Sequence, residues 1–235
     1  MERLFRYSSL VFDIDSTLVT IEGIDELARQ KGVFEEVAML TNQAMNGAVD
    51  FQDIFFRRLA LIRPTKKDIE ALGDLYCSTL TPGAKETIEE LGKHNVHVFI
   101  VSGSYNPAAA LLARHLGIPS HHVFANEILF DQLGHYTGID TTIPLWRQDG
   151  KKHIVRAIKE KTRGNILVVG DGASDRDATD NTCDFLCFAG VAARPAVIKQ
   201  SVFAIKEPSL LPVLSFAFSG ADEAAKAVAS PQASA

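Results

Sequence analysis

Three short polar segments of this chain carry the residue types that handle phosphate. Asp13-Ile14-Asp15-Ser16-Thr17 follows the apolar run Leu10-Val11-Phe12, Ser102-Gly103-Ser104 follows Val96 to Val101, and Gly170-Asp171-Gly172-Ala173-Ser174-Asp175 follows Ile166-Leu167-Val168-Val169. Each apolar run reads as a buried strand, and in an open parallel sheet ligands gather outside the carboxyl ends of the strands. Three strand ends therefore bring Asp13, Asp15, Asp171 and Asp175 to one rim, together with the Ser102 hydroxyl and the Gly103 amide. Converging carboxylates repel and raise one another's pKa unless a cation sits among them. Hard oxygen ligands suit Mg²⁺, normally held by one or two carboxylates plus a substrate phosphate. Ser102 and Gly103 add an anion-binding element, read as lying just before a helix N-terminus.

The chemistry is not that of a nucleotide-binding loop. No G-x-x-x-x-G-K-[ST] is present, and Gly170-Asp171-Gly172 lacks the third glycine and the ribose acid of a dinucleotide fingerprint. A carboxylate can itself attack phosphorus and form an acyl phosphate. Asp13 is the candidate nucleophile. Asp15, across a turn, is placed to protonate the leaving oxygen and later to take a proton from water, provided its pKa is tuned upward. A lysine must offset charge on the equatorial oxygens, and Lys151 or Lys152 stands at the right distance before Asp171.

The elements that position these groups follow from the hydrophobic pattern. After the first strand the chain is helical, with one helix closing near Gly32, one over Val33–Met45 closing at Gly47, one over Phe51–Ile62 stopped by Pro64, and one opening at Thr65 with Asp68 completing a capping box. Strand and helix then alternate. A helix over Gly83–Lys93 has Pro82 in its first turn, Asn106-Pro107 is read as an N-cap with an N1 proline, and Gly117 ends that helix at Leu116. Val123–Ala125 reads as a strand and Ile128–Phe130 with Tyr136–Ile139 as a hairpin, then a helix over Lys152–Lys161 and weaker strands at Phe185–Phe188 and Val202–Ile205. This order predicts an α/β fold, a doubly wound, mostly parallel sheet with a small helical domain inserted after the first strand.

Composition narrows the class further. At 46% hydrophobic residues, a chain of 235 can bury on the order of 70% of its unfolded surface, which excludes a disordered chain. Its 24 basic and 29 acidic residues give a net charge of −5 with no basic stripe, so neither nucleic acid nor a membrane surface is an expected partner. No apolar stretch approaches the roughly 20 residues of a membrane span. Three spaced cysteines imply no disulfide framework, and a cytoplasmic protein, monomer or homodimer, is expected.

Taken in order and separation, Asp13-Ile14-Asp15-Ser16-Thr17-Leu18, Ser102-Gly103, Lys151 and Gly170 to Asp175 resemble the four motifs of the haloacid dehalogenase superfamily. Glu22-Gly23-Ile24-Asp25-Glu26-Leu27-Ala28, Ala44-Met45, Gly47-Ala48-Val49 with Phe51, Arg58 to Ile62, Leu80-Thr81-Pro82-Gly83 and Val123 to Asn126 resemble its phosphoserine phosphatase branch. The resemblance covers roughly residues 8–205. It implies an Mg²⁺-dependent hydrolase that releases L-serine and phosphate from O-phospho-L-serine, the last step of phosphorylated serine synthesis. It maps Asp13 to the nucleophile and Asp15 to the general acid/base whose backbone carbonyl also ligates the metal. Asp13 and Asp171 map to side-chain metal ligands, Asp175 to their support, and Ser102, Gly103 and Lys151 to phosphate binding. Glu22 maps to the group facing the substrate ammonium, Arg58 to the partner of its carboxylate, and Met45 and Phe51 to the pocket lining. A glutamate and a bidentate arginine read an amino acid at both ends. This chain has Asn46-Gly47 where the family often has Gly-Gly and Ser104 where a second glycine often follows Ser-Gly, and its Ala189–Pro195 segment lacks the family's usual glycine pattern.

The expected division is a catalytic core of residues 1–20 and 78–218, a helical cap of residues 21–77 that sets substrate specificity, and a tail of residues 219–235. A related phosphatase, or a phosphotransferase passing the group from Asp13 to another alcohol, shares these motifs. A receiver-like signalling domain has a similar acidic cluster, but is shorter and places its phosphorylated aspartate after a later strand. Blander roles compete at single positions: turn formers for Asp13 and Asp15, solvated charges for Glu22 and Arg58, core packing for Met45 and Phe51, and ordinary packing for Cys183 and Cys187.

Overall fold

The computed structural model describes residues 6–45, 51–180 and 182–218, with the side chains of residues 42–45 and 51 outside the description. Seven strands form one sheet in the order β4-β3-β2-β1-β5-β6-β7. At its centre β1 (Ser9–Phe12) lies parallel between β2 (His97–Asn106) and β5 (Ile166–Gly170). Outward on one side β3 (Val123–Phe130) is parallel to β2, and β4 (Tyr136–Ile139) turns back antiparallel on β3. On the other side β6 (Cys183–Phe188) and β7 (Ala204–Ile205) continue parallel to β5. The strand order reverses between β1 and β5, which opens a crevice at their carboxyl ends.

The central strands carry the apolar runs Leu10-Val11-Phe12, Val98-Phe99-Ile100-Val101 and Ile166-Leu167-Val168-Val169 because both faces there are covered. Leu10 and Phe12 of β1 pack with Ile100, Leu167 and Val169 on one face, while Val11 packs with Phe99, Val101, Val155 and Val168 on the other. Helices α1 (Gly23–Lys31), α2 (Phe34–Met45), α3 (Phe51–Ile62) and α4 (Lys66–Ser78) fall between β1 and β2. Helix α5 (Ala84–Lys93) completes that first connection, α6 (Ala108–His115), α7 (Gly150–Lys161), α8 (Ala173–Asp177) and α9 (Pro195–Gln200) lie in the later ones, and α10 (Val213–Phe218) follows β7. The mostly parallel sheet with flanking helices is the expected fold class. Leu27, Val37, Phe55, Leu59, Ile69 and Leu72 of the four-helix block join the same apolar cluster as Leu10 and Phe12, so the block shares a core with the sheet.

Local chemistry explains the boundaries. Gly32 takes a left-handed conformation to end α1, and at α4 the Thr65 hydroxyl accepts from the Asp68 amide while Asp68 accepts from the Thr65 amide, the reciprocal cap expected. Elsewhere the structure differs from the sequence pattern. Pro82 precedes the cap of α5, which is Gly83, and Pro107 occupies the cap position of α6 with Asn106 still in the strand. β3 is one strand through the polar pair Asn126-Glu127, where Asn126 Nδ2 donates to the Gly103 carbonyl at 2.8 Å and so has a partner inside the sheet. α7 begins at Gly150, two residues earlier than read, which puts Lys151 in its first turn. Gly47 and the tail from Ser219 lie outside the described residues. No helix among the described residues is long and apolar enough to cross a membrane.

Candidate functional site

Asp13 is the first residue beyond β1, its amide still bonded to the Val169 carbonyl, so the sheet itself fixes where its carboxylate emerges. The chain then makes one tight turn over Ile14–Leu18 in which Ser16 has a left-handed φ of 52°. A non-glycine residue in that conformation stores strain, and such strain concentrates where side chains must be aimed. Asp13 Oδ1 accepts from the Ile14 amide at 2.8 Å, and Asp13 Oδ2 pairs with Lys151 Nζ at 2.7 Å. The same ammonium reaches Asp175 Oδ1 at 2.6 Å, and Asp175 Oδ2 accepts from the Gly172 amide at 3.1 Å. Any side chain at Gly170 would overlap the Asp175 carboxylate, so this glycine admits Asp175 to the cluster.

One oxygen each from Asp13, Asp171 and Asp175 lies within 4.8 Å of the others, all three residues being buried. Such a set fits a small divalent cation. Burial pushes the Asp171 carboxyl up, and pushes that of Asp175 up to about 7 against the pull of Lys151. Burial opposes the Lys151 charge too, but Asp13 and Asp175 hold its ammonium above the ordinary lysine range. When all three carboxylates are ionised, the two cations that contact them among the described residues, Lys151 and Arg194, leave one negative charge over.

Arg194 was not among the expected site residues. It reaches back from the loop after β6, its Nε 2.5 Å from Asp171 Oδ2 and its Nη2 2.9 Å from Glu22 Oε1. Glu22, at the cap position of α1, also accepts from the Ser16 hydroxyl at 2.7 Å, so it belongs to the site and is not a solvated helix charge. Asp15 sits apart from these cations. Its Oδ1 accepts from the Gly23 amide and from the Tyr76 hydroxyl, each at 2.8 Å. Burial, then the charges of Glu22 and Asp13, hold its carboxyl well above the usual range, while the two hydrogen bonds pull the other way.

Ser102 is buried, but its hydroxyl accepts from the Ser104 amide at 3.1 Å, and β2 runs on to Asn106. The expectation that Ser102 and Gly103 immediately precede a helix is therefore corrected. The two serines lie in the irregular stretch between Val101 and Tyr105, and the Gly103 carbonyl is tied to Asn126. Of the two candidate lysines, Lys151 is buried in the cluster and Lys152 is exposed. Among the described residues Arg58 makes no contact with the acidic cluster: its Nη1 donates to Thr41 Oγ1 at 3.3 Å, and its buried Nε has no partner there. A buried guanidinium N–H with no partner among the described residues is placed to donate to a carboxylate. The side chains of Met45 and Phe51 lie outside the described residues.

Chemically, the arrangement offers a carboxylate paired with an ammonium, a second carboxyl with no cation partner among the described residues, and a third group of oxygens fit for a metal. The haloacid dehalogenase-like hydrolase family model matches residues 10–180. A phosphoserine phosphatase of Bos taurus is 40% identical over 190 residues, covering 80% of this chain and 84% of that one. A solved phospho-aspartyl intermediate analogue of phosphoserine phosphatase superposes with a TM-score of 0.74 at 30% identity, over 90% of this chain and 99% of the other. A substrate-bound phosphoserine phosphatase complex gives 0.75 at 29% identity, over 89% and 98%.

Proposed function

The chain belongs to the haloacid dehalogenase-like hydrolase family, and from that membership we propose that it hydrolyses O-phospho-L-serine to L-serine and phosphate with the help of Mg²⁺. The observation that carries the reading is the unequal treatment of two neighbouring carboxyls. Asp13 is paired with Lys151, whereas Asp15 is held among the described residues by two neutral donors. Separating two carboxyls in this way assigns them different duties.

In the first step an Asp13 oxygen bonds to phosphorus as the bond from phosphorus to the seryl oxygen breaks, and Asp15 gives its proton to that departing oxygen. Serine leaves and an aspartyl phosphate remains. In the second step a water oxygen bonds to phosphorus, its proton passes to Asp15, and the bond to Asp13 breaks, releasing phosphate and restoring both residues. Asp13, Asp171 and the Asp15 carbonyl would hold Mg²⁺, with Asp175 supporting them, and the ion supplies positive charge against the developing phosphoryl charge. Lys151 steadies Asp13 and Asp175 and offsets phosphoryl charge, with Ser102 and the Gly103 amide as phosphate donors.

Glu22 would face the substrate ammonium and the buried Nε of Arg58 its carboxylate, with Met45 and Phe51 lining the pocket. On this reading residues 21–77 form the specificity cap and residues 1–20 with 78–218 the catalytic core. A phosphate-release screen over phosphoserine, phosphothreonine, phosphoethanolamine and sugar phosphates, with Mg²⁺ or with a chelator, tests it. Phosphoserine should lead and the chelator should abolish release; preference for a sugar phosphate overturns the substrate assignment.

A further inference from the structure

Tyr76 is a fully buried residue of α4 that the reaction as written does not use. Its hydroxyl is shared between two partners. It donates to Asp15 Oδ1 at 2.8 Å and lies 2.7 Å from Ser104 Oγ. A phenol has one proton, and since that proton goes to Asp15, the Ser104 hydroxyl is the donor in the second bond. Ser104 is held in turn, its amide bonded to Ser102 Oγ at 3.1 Å. The result is a directed relay, Ser104 to Tyr76 to Asp15, crossing from β2 through the helical block to the catalytic turn. Space is reserved for it, because a Cβ on Gly23 would overlap the Tyr76 hydroxyl. The Gly23 amide adds the second donor to the same Asp15 oxygen.

Two donors on Oδ1 and none among the described residues on Oδ2 make the two oxygens of Asp15 unequal. Oδ1 is occupied as an acceptor, so the transferable proton is carried on Oδ2. Resting on the hydrolytic reading above, we propose that Tyr76, supported by Ser104, is a positioning residue that pins Asp15 Oδ1 and so presents Oδ2 to the leaving oxygen. Where the family resemblance leads one to expect glycine at 104, the serine supplies the hydroxyl that completes the relay.

The test uses the leaving group. An alkoxide such as serine needs the proton from Asp15, whereas p-nitrophenolate leaves without one, so kcat/KM for phosphoserine against p-nitrophenyl phosphate isolates proton delivery. Tyr76→Phe should lower kcat/KM for phosphoserine by about tenfold, a fraction of what general acid catalysis supplies, and that for p-nitrophenyl phosphate by less than about threefold. Ser104→Ala should lower the same ratio less, and should add nothing in the Tyr76→Phe background. In an Asp15→Asn background Tyr76→Phe should leave the ratio unchanged. Equal loss on both substrates with a lowered melting temperature, or no loss on either, overturns the proposal. Should Tyr76→Phe fold poorly, the Ser104→Ala ratio decides alone. If the wild type hydrolyses phosphoethanolamine but not phosphoserine, the substrate reading fails, and the same ratio taken with phosphoethanolamine still judges Tyr76.

Discussion

Glu22 and Arg58 occupy different surroundings, and that difference sets what each should do when removed. Glu22 is embedded at the acidic cluster and bonded to Ser16 and Arg194, while Arg58 stands off the cluster with a buried donor that has no partner among the described residues. Glu22→Ala and Arg58→Ala should each cut kcat/KM for phosphoserine by about 100-fold, as expected for truncating a half-buried, hydrogen-bonded charge partner, and that for an aryl phosphate by less than about threefold. Equal losses on both substrates would show that neither residue reads the amino-acid ends. Asp13, Asp15, Asp171 and Asp175 were legible in the sequence because each follows a strongly apolar strand or its turn. Arg194 was not, since it enters six residues beyond the weak strand β6. Tyr76 was hidden for another reason: on an amphipathic helix an aromatic at apolar spacing looks the same whether it packs or donates.

At the scale of elements, the four-helix block was legible because its punctuation is chemical. Gly32, Pro64 and the Thr65–Asp68 pair stop and start helices by mechanisms that act within a few residues. Thr65→Ala removes the hydroxyl that caps α4 and should destabilise the protein by about 1 kcal/mol in urea unfolding, without changing the slope of the transition. An unchanged midpoint would mean that the Asp68 half of the box, with its Lys31 ion pair, carries the cap alone. The continuity of β3 was illegible for the converse reason, because Asn126 Nδ2 donates to the carbonyl of Gly103, a residue of another strand. So was the length of β2, whose irregular end is set by its neighbour β3.

For the whole molecule, the concentrated charge at the crevice makes stability depend on pH and metal together. In the unfolded chain a carboxyl ionises near pH 4, whereas burial holds Asp175 protonated up to about 7 in the fold. The native state therefore binds more protons there, and this contribution to stability is full below about pH 4 and lost as pH rises through about 7. Mg²⁺ needs ionised oxygens, so it should relieve the loss where it is greatest. At about 100 times its dissociation constant the linkage is worth about 2.7 kcal/mol, or about 5–10 °C for a chain of this size. That gain should appear at about pH 8 and shrink markedly at about pH 5; the same gain at both would show that these carboxylates do not bind the ion.

The central claim is that Asp13 attacks phosphorus. Acid quenching of the protein during turnover of phosphoserine with Mg²⁺, followed by peptide mass analysis, measures it most directly. The account predicts one phosphoryl group on the peptide containing Asp13, lost on treatment with hydroxylamine and missing from the inactive Asp13→Asn variant. A phosphoryl group on another residue, or steady turnover by Asp13→Asn, would contradict it.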